Sequence, residues 1–317
     1  MELKNNKINV VSPAKINLHL EVLGRRKDGY HELAMLMQSI NLEDYLEFEI
    51  NDAGDINLSS NNTELDLKED NLIVKAANIL KNNNPDRNLG ANIFLHKNIP
   101  IGAGLAGGSS NAAAALIGLN KLWELNLGQS ILRKFALNLG SDVPFFLEGG
   151  SQYCFGRGEV LEKYRFESKL YLIILKDPKV SLSTSEIYKK YSDKFKMNYL
   201  SSEMDYEIQR NNLKSINFTN DNFLNRRIKI RNDLQKIVQK ENKSVSDALH
   251  LFSQIKECIC FSMSGSGPSC YGLFDNYEIA KKIYEKNKNI FFNYGYNSWL
   301  CKFKSDGITF YNDGKRK

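Results

Sequence analysis

Hydrophobic and polar residues change period several times along the chain. Val11–Leu23 alternates and is rich in Val, Ile and Leu, which predicts a strand. The charged run Arg25–Gly29 follows and ends in Asp28-Gly29, a strong turn signal. Leu33–Ile50 predicts two further β segments around a turn near Asn41–Asp44, and Asp52–Ser60 another strand with loops on either side. Asn71–Leu80 has helical spacing, and Asn92–His96 is a short strand leading into a glycine-rich loop. Ser109–Trp123 is alanine-rich and apolar on more than one side, which predicts a buried helix. Ser130 suits the N-cap of a second helix that runs to Leu139 and stops at Gly140.

Gln152–Phe155 and Leu170–Leu175 read as strands. Between about Lys189 and Arg231 the chain is rich in Lys, Asn, Asp and Tyr with weak periodicity, which predicts a variable surface region near the join of two lobes. Ser246–Ile259 predicts an amphipathic helix. Phe261–Met263 and Ser269–Phe274 supply strand material around a second glycine-rich turn. Tyr277–Asn287 reads as a helix and Tyr296–Phe303 as a closing strand. Helices mixed with mostly antiparallel strands define an α+β class. At roughly 150 residues per domain, 317 residues make about two units. The predicted division is 1–165, holding the first glycine-rich loop, and 166–317, holding the second.

Composition narrows the field. The chain is 42% hydrophobic and 25% charged, the balance of a globular protein. A net charge of +6 favours the approach of anionic ligands. The lysines are spread along the chain and form no basic stripe, so nucleic acid is not an expected partner. The five cysteines are odd in number and lack zinc-finger spacing, which predicts free thiols in a reducing compartment. No apolar run approaches the ~20 residues of a membrane span. Met1–Val10 is polar, with neither a signal-peptide core nor an Arg-rich amphipathic pattern.

Four segments carry chemistry. In Ile99-Pro100-Ile101-Gly102-Ala103-Gly104-Leu105-Ala106-Gly107-Gly108-Ser109-Ser110-Asn111, the glycines permit positive φ and close ligand approach. The helix behind them presents free N–H groups and a positive dipole end, together an anion site suited to a di- or triphosphate. Ser109 and Ser110 can cap that helix or contact phosphate and Mg²⁺. No Gly-Lys-Ser/Thr closes the loop, so it is not a Walker A motif, and no acidic residue ends a following strand in the Rossmann manner. In Ser12-Pro13-Ala14-Lys15-Ile16-Asn17-Leu18, Lys15 and Asn17 share one strand face. Lys15 either holds a phosphate or tunes a neighbour, or is simply solvated. In Gly140-Ser141-Asp142-Val143-Pro144-Phe145-Phe146, Asp142 either accepts a substrate proton or closes a turn before proline. Met263-Ser264-Gly265-Ser266-Gly267-Pro268-Ser269 either closes over phosphates or is a plain β-turn.

With these segments in this order, the chain resembles the GHMP kinase superfamily. It is most similar to the branch whose alcohol substrate is 4-diphosphocytidyl-2-C-methyl-D-erythritol. Gly24–Leu33, Asn71–Ala76, Leu139–Phe146, Val180–Tyr188 and Asn232-Asp233 carry the finer match. The resemblance implies a two-lobed fold with mixed sheets and an active site in the cleft between lobes. It implies ATP as co-substrate with Mg²⁺, no tightly bound organic cofactor, and transfer to the 2-hydroxyl of the substrate in isoprenoid precursor biosynthesis. Residue by residue, it makes Lys15 and Asp142 catalytic and Asn17 a hydroxyl contact. Tyr30 and Tyr188 sandwich the cytosine, and His31 reads its edge. Leu72 and Ile73 form a shelf near adenine, Pro100 and Gly102 to Ser110 the phosphate loop, and Ser264 to Gly267 a second glycine motif. The metal ligands stay open, with Ser110 a candidate. Ala106 stands where the loop commonly has glycine, which a methyl tolerates only at negative φ. Tyr188 stands where phenylalanine is common. The implied setting is a bacterial cytoplasm or a mature plastid, with no membrane or nucleic-acid partner and a monomer or homodimer. Two rival readings are a relative acting on homoserine or mevalonate and a non-catalytic nucleotide-binding protein.

Overall fold

The computed structural model describes residues 6–165, 170–216, 218, 222 and 230–311. Its longest strands are β1 (Lys7–Arg25) and β2 (His31–Ile50), an antiparallel hairpin paired along nearly its whole length. Asp28-Gly29 makes the turn, with Gly29 at φ +87. On its other side β2 pairs first with β5 (Ser151–Gly156) and then with β4 (Ala91–His96). β3 (Ile56–Ser60) lies parallel to β4, and β6 (Val160–Tyr164) antiparallel to β5. The turn predicted near Asn41–Asp44 is instead a bulge. Pro13 pairs with Glu43 but Ala14 with Ile40, so Asn41 and Leu42 are passed over. Proline has no N–H for the ladder, and the register yields beside it.

A second, four-stranded antiparallel sheet has the order β11 (Asn297–Lys302), β7 (Tyr171–Lys176), β10 (Cys270–Phe274), β9 (Cys260–Met263). Its residues Leu172, Ile174, Tyr271 and Leu273 pack with Ala14, Ile16 and Leu18 of β1. The other face of the first sheet is covered by α1 (Leu72–Asn82), α2 (Gly107–Leu122), α3 (Gln129–Leu139) and α4 (Val143–Glu148). β1 is thus buried on both faces. α2 runs close to the sheet because its buried side is Ala112 to Ala115 and Gly118, where a Cβ would come within 2.6 Å of the Phe48 ring.

In the second half, α5 (Thr184–Phe195) and α6 (Glu203–Ser215) occupy much of the weakly periodic stretch predicted as a variable surface region. α6 buries only Leu213, so its periodicity is faint. The legible signals were the caps: Ser183 accepts from Glu186 N, and Ser202 from Asp205 N. The remainder of that stretch, at 217, 219–221 and 223–229, lies outside the described residues. α7 (Gln235–Glu241) and α8 (Lys243–Ser253) follow. α8 starts and ends earlier than the predicted helix, because Asn242 caps it and Ile259 N already bonds Leu273 O in sheet fashion. α9 (Tyr277–Asn293) outruns its predicted end. α4 and β6 have no counterpart in the sequence reading. β8 (Arg231–Asn232) and β12 (Thr309–Phe310) both pair with β1, so chain from beyond the predicted division completes the first sheet. The junction itself, at 166–169, lies outside the described residues. The five cysteines are unpaired, and burial pushes the Cys258 and Cys301 thiols up to about 12. No helix among the described residues is long and apolar enough to cross a membrane.

Candidate active site

The glycine-rich loop runs from the end of β4 into α2 and is held from two sides. Lys15 N donates to Leu105 O at 3.1 Å, tying the loop to β1. Ser264 Oγ donates to Gly104 O at 3.0 Å, tying it to the second glycine turn. Gly104 has φ +73, and a Cβ there would lie 2.3 Å from the Ser264 carbonyl oxygen, so only glycine fits this contact. Ala106 contradicts the expectation of negative φ: it is left-handed, at φ 54 and ψ 33, and forms the N-cap of α2. For an L-residue this conformation costs about 1–2 kcal/mol. Ala106 offers no side-chain acceptor, so the first-turn N–H groups of α2 remain available to an anion.

Beneath the loop lies a buried polar network. Asp44, fully buried, accepts from Asn98 N at 2.7 Å, Ile99 N at 2.8 Å, Asn111 Nδ2 at 2.9 Å and the Lys97 ammonium. The Lys97 side chain is only 4% exposed, and its Nζ sits against Gly107 at the start of α2. Burial pulls this ammonium below the usual lysine range, while the Asp44 carboxylate works against the shift. Ser110 is fully buried and accepts from Ser12 Oγ at 2.7 Å. It is turned into this network and is not on the cavity wall, whereas Ser109 is.

Lys15 and Asn17 project from β1 toward Asp142. The Lys15 ammonium, 5% exposed, donates to Asn17 Oδ1 at 2.7 Å and lies 3.7 Å from Asp142 Oδ2, whose side chain is 34% exposed. Asp142 occupies the N-cap of α4 but makes no capping bond, so its carboxylate is free to face Lys15. Pro144 in the first turn holds the segment. Gly265 sits directly over the pair's lysine, where a Cβ would be 3.3 Å from Lys15 Nζ. Asn232 fixes that turn by donating to Met263 O at 2.7 Å and Gly265 O at 2.9 Å. Asn17 is held in turn by the Tyr271 hydroxyl, which donates to its carbonyl at 2.7 Å.

At the far end, Tyr30 and His31 lie where the hairpin turns into β2. Tyr30 is exposed, and the Arg157 guanidinium packs on its ring at 4.9 Å. His31 stacks on Tyr188 of α5, with ring centroids 4.9 Å apart and planes 24° apart. Burial, reinforced by the nearby Arg25 charge, lowers the His31 pKa. One cavity of about 1110 Å³ joins all of this. Its wall includes Lys15, Asn17, Tyr30, His31, Leu72, Ile73, Asp142 and Tyr188, the loop residues Pro100, Gly102, Ala103, Gly104, Ala106, Gly107, Gly108 and Ser109, and Gly265 with Ser266. Leu105, Ser110, Ser264 and Gly267 are not on the wall, although Leu105 and Ser264 hold what is. Lys97, Asn111, Arg157, Thr184 and Ser185 line it too, beyond the residues expected from the sequence. Lys97-Asn98-Ile99-Pro100 leading into the loop was the available signal for Lys97.

Among the described residues no three His, Cys, Asp or Glu side chains gather as a metal cage. The wall offers the Ser109 hydroxyl and the Asp142 carboxylate, hard oxygen donors that fit a magnesium ion carried mainly by nucleotide phosphates.

Residues 71–150 match the GHMP kinases N terminal domain and residues 217–293 the GHMP kinases C terminal domain. The chain is 58% identical over 310 residues to the 4-diphosphocytidyl-2-C-methyl-D-erythritol kinase of Prochlorococcus marinus (strain MIT 9312), covering 98% of this chain and 99% of that one. It is 55% identical over 309 residues to the enzyme of the same name from Prochlorococcus marinus (strain MIT 9515), again covering 98% and 99%. A crystal structure of 4-(cytidine 5'-diphospho)-2C-methyl-D-erythritol kinase superposes with a TM-score of 0.69 at 25% identity, covering 93% of this chain and 99% of that one. Homoserine kinase from Cytophaga hutchinsonii shares the fold, with a TM-score of 0.63 at 18% identity over 98% and 99% of the two chains.

Proposed function

The chain belongs to the 4-diphosphocytidyl-2-C-methyl-D-erythritol kinases within the GHMP kinases, and from that premise we propose that its cleft transfers the γ-phosphoryl group of ATP to the 2-hydroxyl of 4-diphosphocytidyl-2-C-methyl-D-erythritol. The observation that carries this reading is the Lys15–Asp142 pair, 3.7 Å apart on the wall of the same cavity as the phosphate loop. Phosphoryl transfer needs chiefly positioning and charge stabilisation. Asp142 takes the proton of the acceptor hydroxyl as its oxygen bonds to the γ-phosphorus. The bond from that phosphorus to the β–γ bridging oxygen breaks, and ADP leaves. Lys15 stabilises the negative charge on the group in flight. Asn17, bonded to Lys15, orients the acceptor.

The first-turn N–H groups of α2 cradle the β- and γ-phosphates, with Lys97 behind them and Leu72-Ile73 as an apolar shelf for adenine. Ser109 and Asp142 would help hold a magnesium ion carried by the nucleotide, which would supply charge neutralisation at the phosphates. The cytosine occupies the aromatic end, where Tyr30, His31 and Tyr188 provide flat faces and an edge partner. A homoserine or mevalonate acceptor would leave those rings without a role.

Phosphorus-31 NMR of the product tests the acceptor assignment. Carbon 2 carries no hydrogen, so transfer to its hydroxyl gives a new phosphomonoester singlet. A resonance split by carbinol protons would place transfer on another hydroxyl and overturn the assignment.

A further inference from the structure

The stretch following Tyr188 contributes two hydroxyls that the mechanism does not use. Ser192 Oγ, buried on α5, makes three contacts: Tyr188 O at 3.0 Å, Tyr199 Oη at 2.9 Å and His31 Nε2 at 2.7 Å. A serine hydroxyl has one proton and two lone pairs. The Tyr188 carbonyl can only accept, so the Ser192 proton goes there. The other two contacts are hydrogen bonds only if Tyr199 and His31 both donate to Ser192. Burial lowers the His31 pKa, which favours the neutral ring, and that ring then carries its single proton on Nε2. Nδ1 is left as a lone-pair acceptor, and among the described residues no hydrogen bond reaches it. The Tyr199 ring, edge-on to His31 at 5.9 Å, and the stacked Tyr188 ring hold the imidazole in plane.

We infer that Ser192 and Tyr199 are positioning residues that fix His31 as the Nε2–H tautomer, and that the resulting Nδ1 acceptor selects a cytidine over a uridine diphosphate substrate. Cytosine presents an amino donor at the position where uracil presents a carbonyl acceptor. A carbonyl opposite the Nδ1 lone pair leaves two acceptors facing each other. A neutral hydrogen bond of this kind is worth roughly a factor of ten in discrimination. The inference rests on the placement of the base beside His31 proposed above. It also gives the weakly periodic segment after Lys189 a task at the site.

Two measurements on the intact protein test it. The first is long-range ¹H–¹⁵N NMR with labelled histidine, the His31 signals being identified by their loss in His31→Gln. The Nε2–H pattern is expected in the native protein and a tautomer mixture in Ser192→Ala; an Nδ1–H pattern in the native protein overturns the assignment. The second is kcat/KM for the cytidine substrate and its uridine analogue. Ser192→Ala is expected to reduce the cytidine preference by roughly tenfold, with KM for ATP unchanged. An unchanged preference alongside an altered tautomer overturns the specificity claim. If CMP leaves the His31 signals unmoved in the native protein, the base placement itself fails and takes the specificity claim with it, whatever tautomer is found.

Discussion

Replacing Gly104 by alanine tests the idea that the two glycine turns are locked together to aim the lysine. At φ +73 an alanine is strained by about 1–2 kcal/mol. Its Cβ would lie 2.3 Å from Ser264 O and 2.9 Å from Gly267 O, both backbone atoms, so the second turn must move by roughly 1 Å to restore ordinary contact. Such overpacking adds about 1–3 kcal/mol, for a combined loss of roughly 2–5 kcal/mol. The displaced turn carries Gly265, which abuts Lys15 Nζ. A misplacement of that size near the reacting groups is expected to lower kcat about a hundredfold. Gly108→Ala is the control. A Cβ at Gly108 meets no protein atom within 4 Å, and the residue is helical, so the variant should equal or exceed the parent in stability. Its methyl would stand where phosphate approaches, so KM for ATP should rise while kcat changes little. Urea unfolding and steady-state kinetics of both variants decide the matter. A Gly104→Ala protein with parental stability and turnover would refute the reasoning, as would two variants that fail alike.

Asp142→Asn is expected to lower kcat by roughly 10²–10⁴ while leaving nucleotide affinity near normal by calorimetry; near-parental turnover would remove Asp142 from the proton-accepting role. Asp44→Ala strips the buried Lys97 of its counter-charge and orphans two backbone N–H groups, so urea unfolding should show a loss of about 3–5 kcal/mol; a loss under about 1 kcal/mol would contradict the network's structural weight. The His31 pKa is lowered in the folded protein, so protonation is delayed to a pH below the ordinary histidine value of about 6.5. CMP competition should therefore stay flat from about pH 8 to about 6.5 and weaken only below that. The unfolded chain takes up the proton first, so stability tied to His31 is also lost on the acid side.

The architecture was legible where the sequence period was strong. β1, α1, α2 and the two glycine turns are strongly patterned because their neighbours demand a continuous apolar or small-residue face. The site was legible to the same extent: Lys15 and Asn17 share a face, and the loop feeds a buried helix. Longer-range effects were hidden. The Asn41–Asp44 turn became a bulge because Pro13, a residue on the partner strand, withholds a ladder donor. Ala106 adopts a glycine's conformation because the loop is pinned at Leu105 and Gly104 on one side and by α2 on the other. Asp44 and Lys97 are 53 residues apart and meet only through strand pairing, so neither stood out alone. α6 was invisible to periodicity, yet its Arg210 reaches Glu32, next to His31, at 2.5 Å and braces the hairpin from outside.

ADP release by the purified protein with ATP and Mg²⁺, offered 4-diphosphocytidyl-2-C-methyl-D-erythritol beside homoserine and mevalonate, tests the central claim most directly. Turnover with the cytidine compound alone is the predicted result. Turnover with homoserine or mevalonate in its place would overturn the base pocket, and ATP binding without turnover on any of the three would contradict the kinase reading itself.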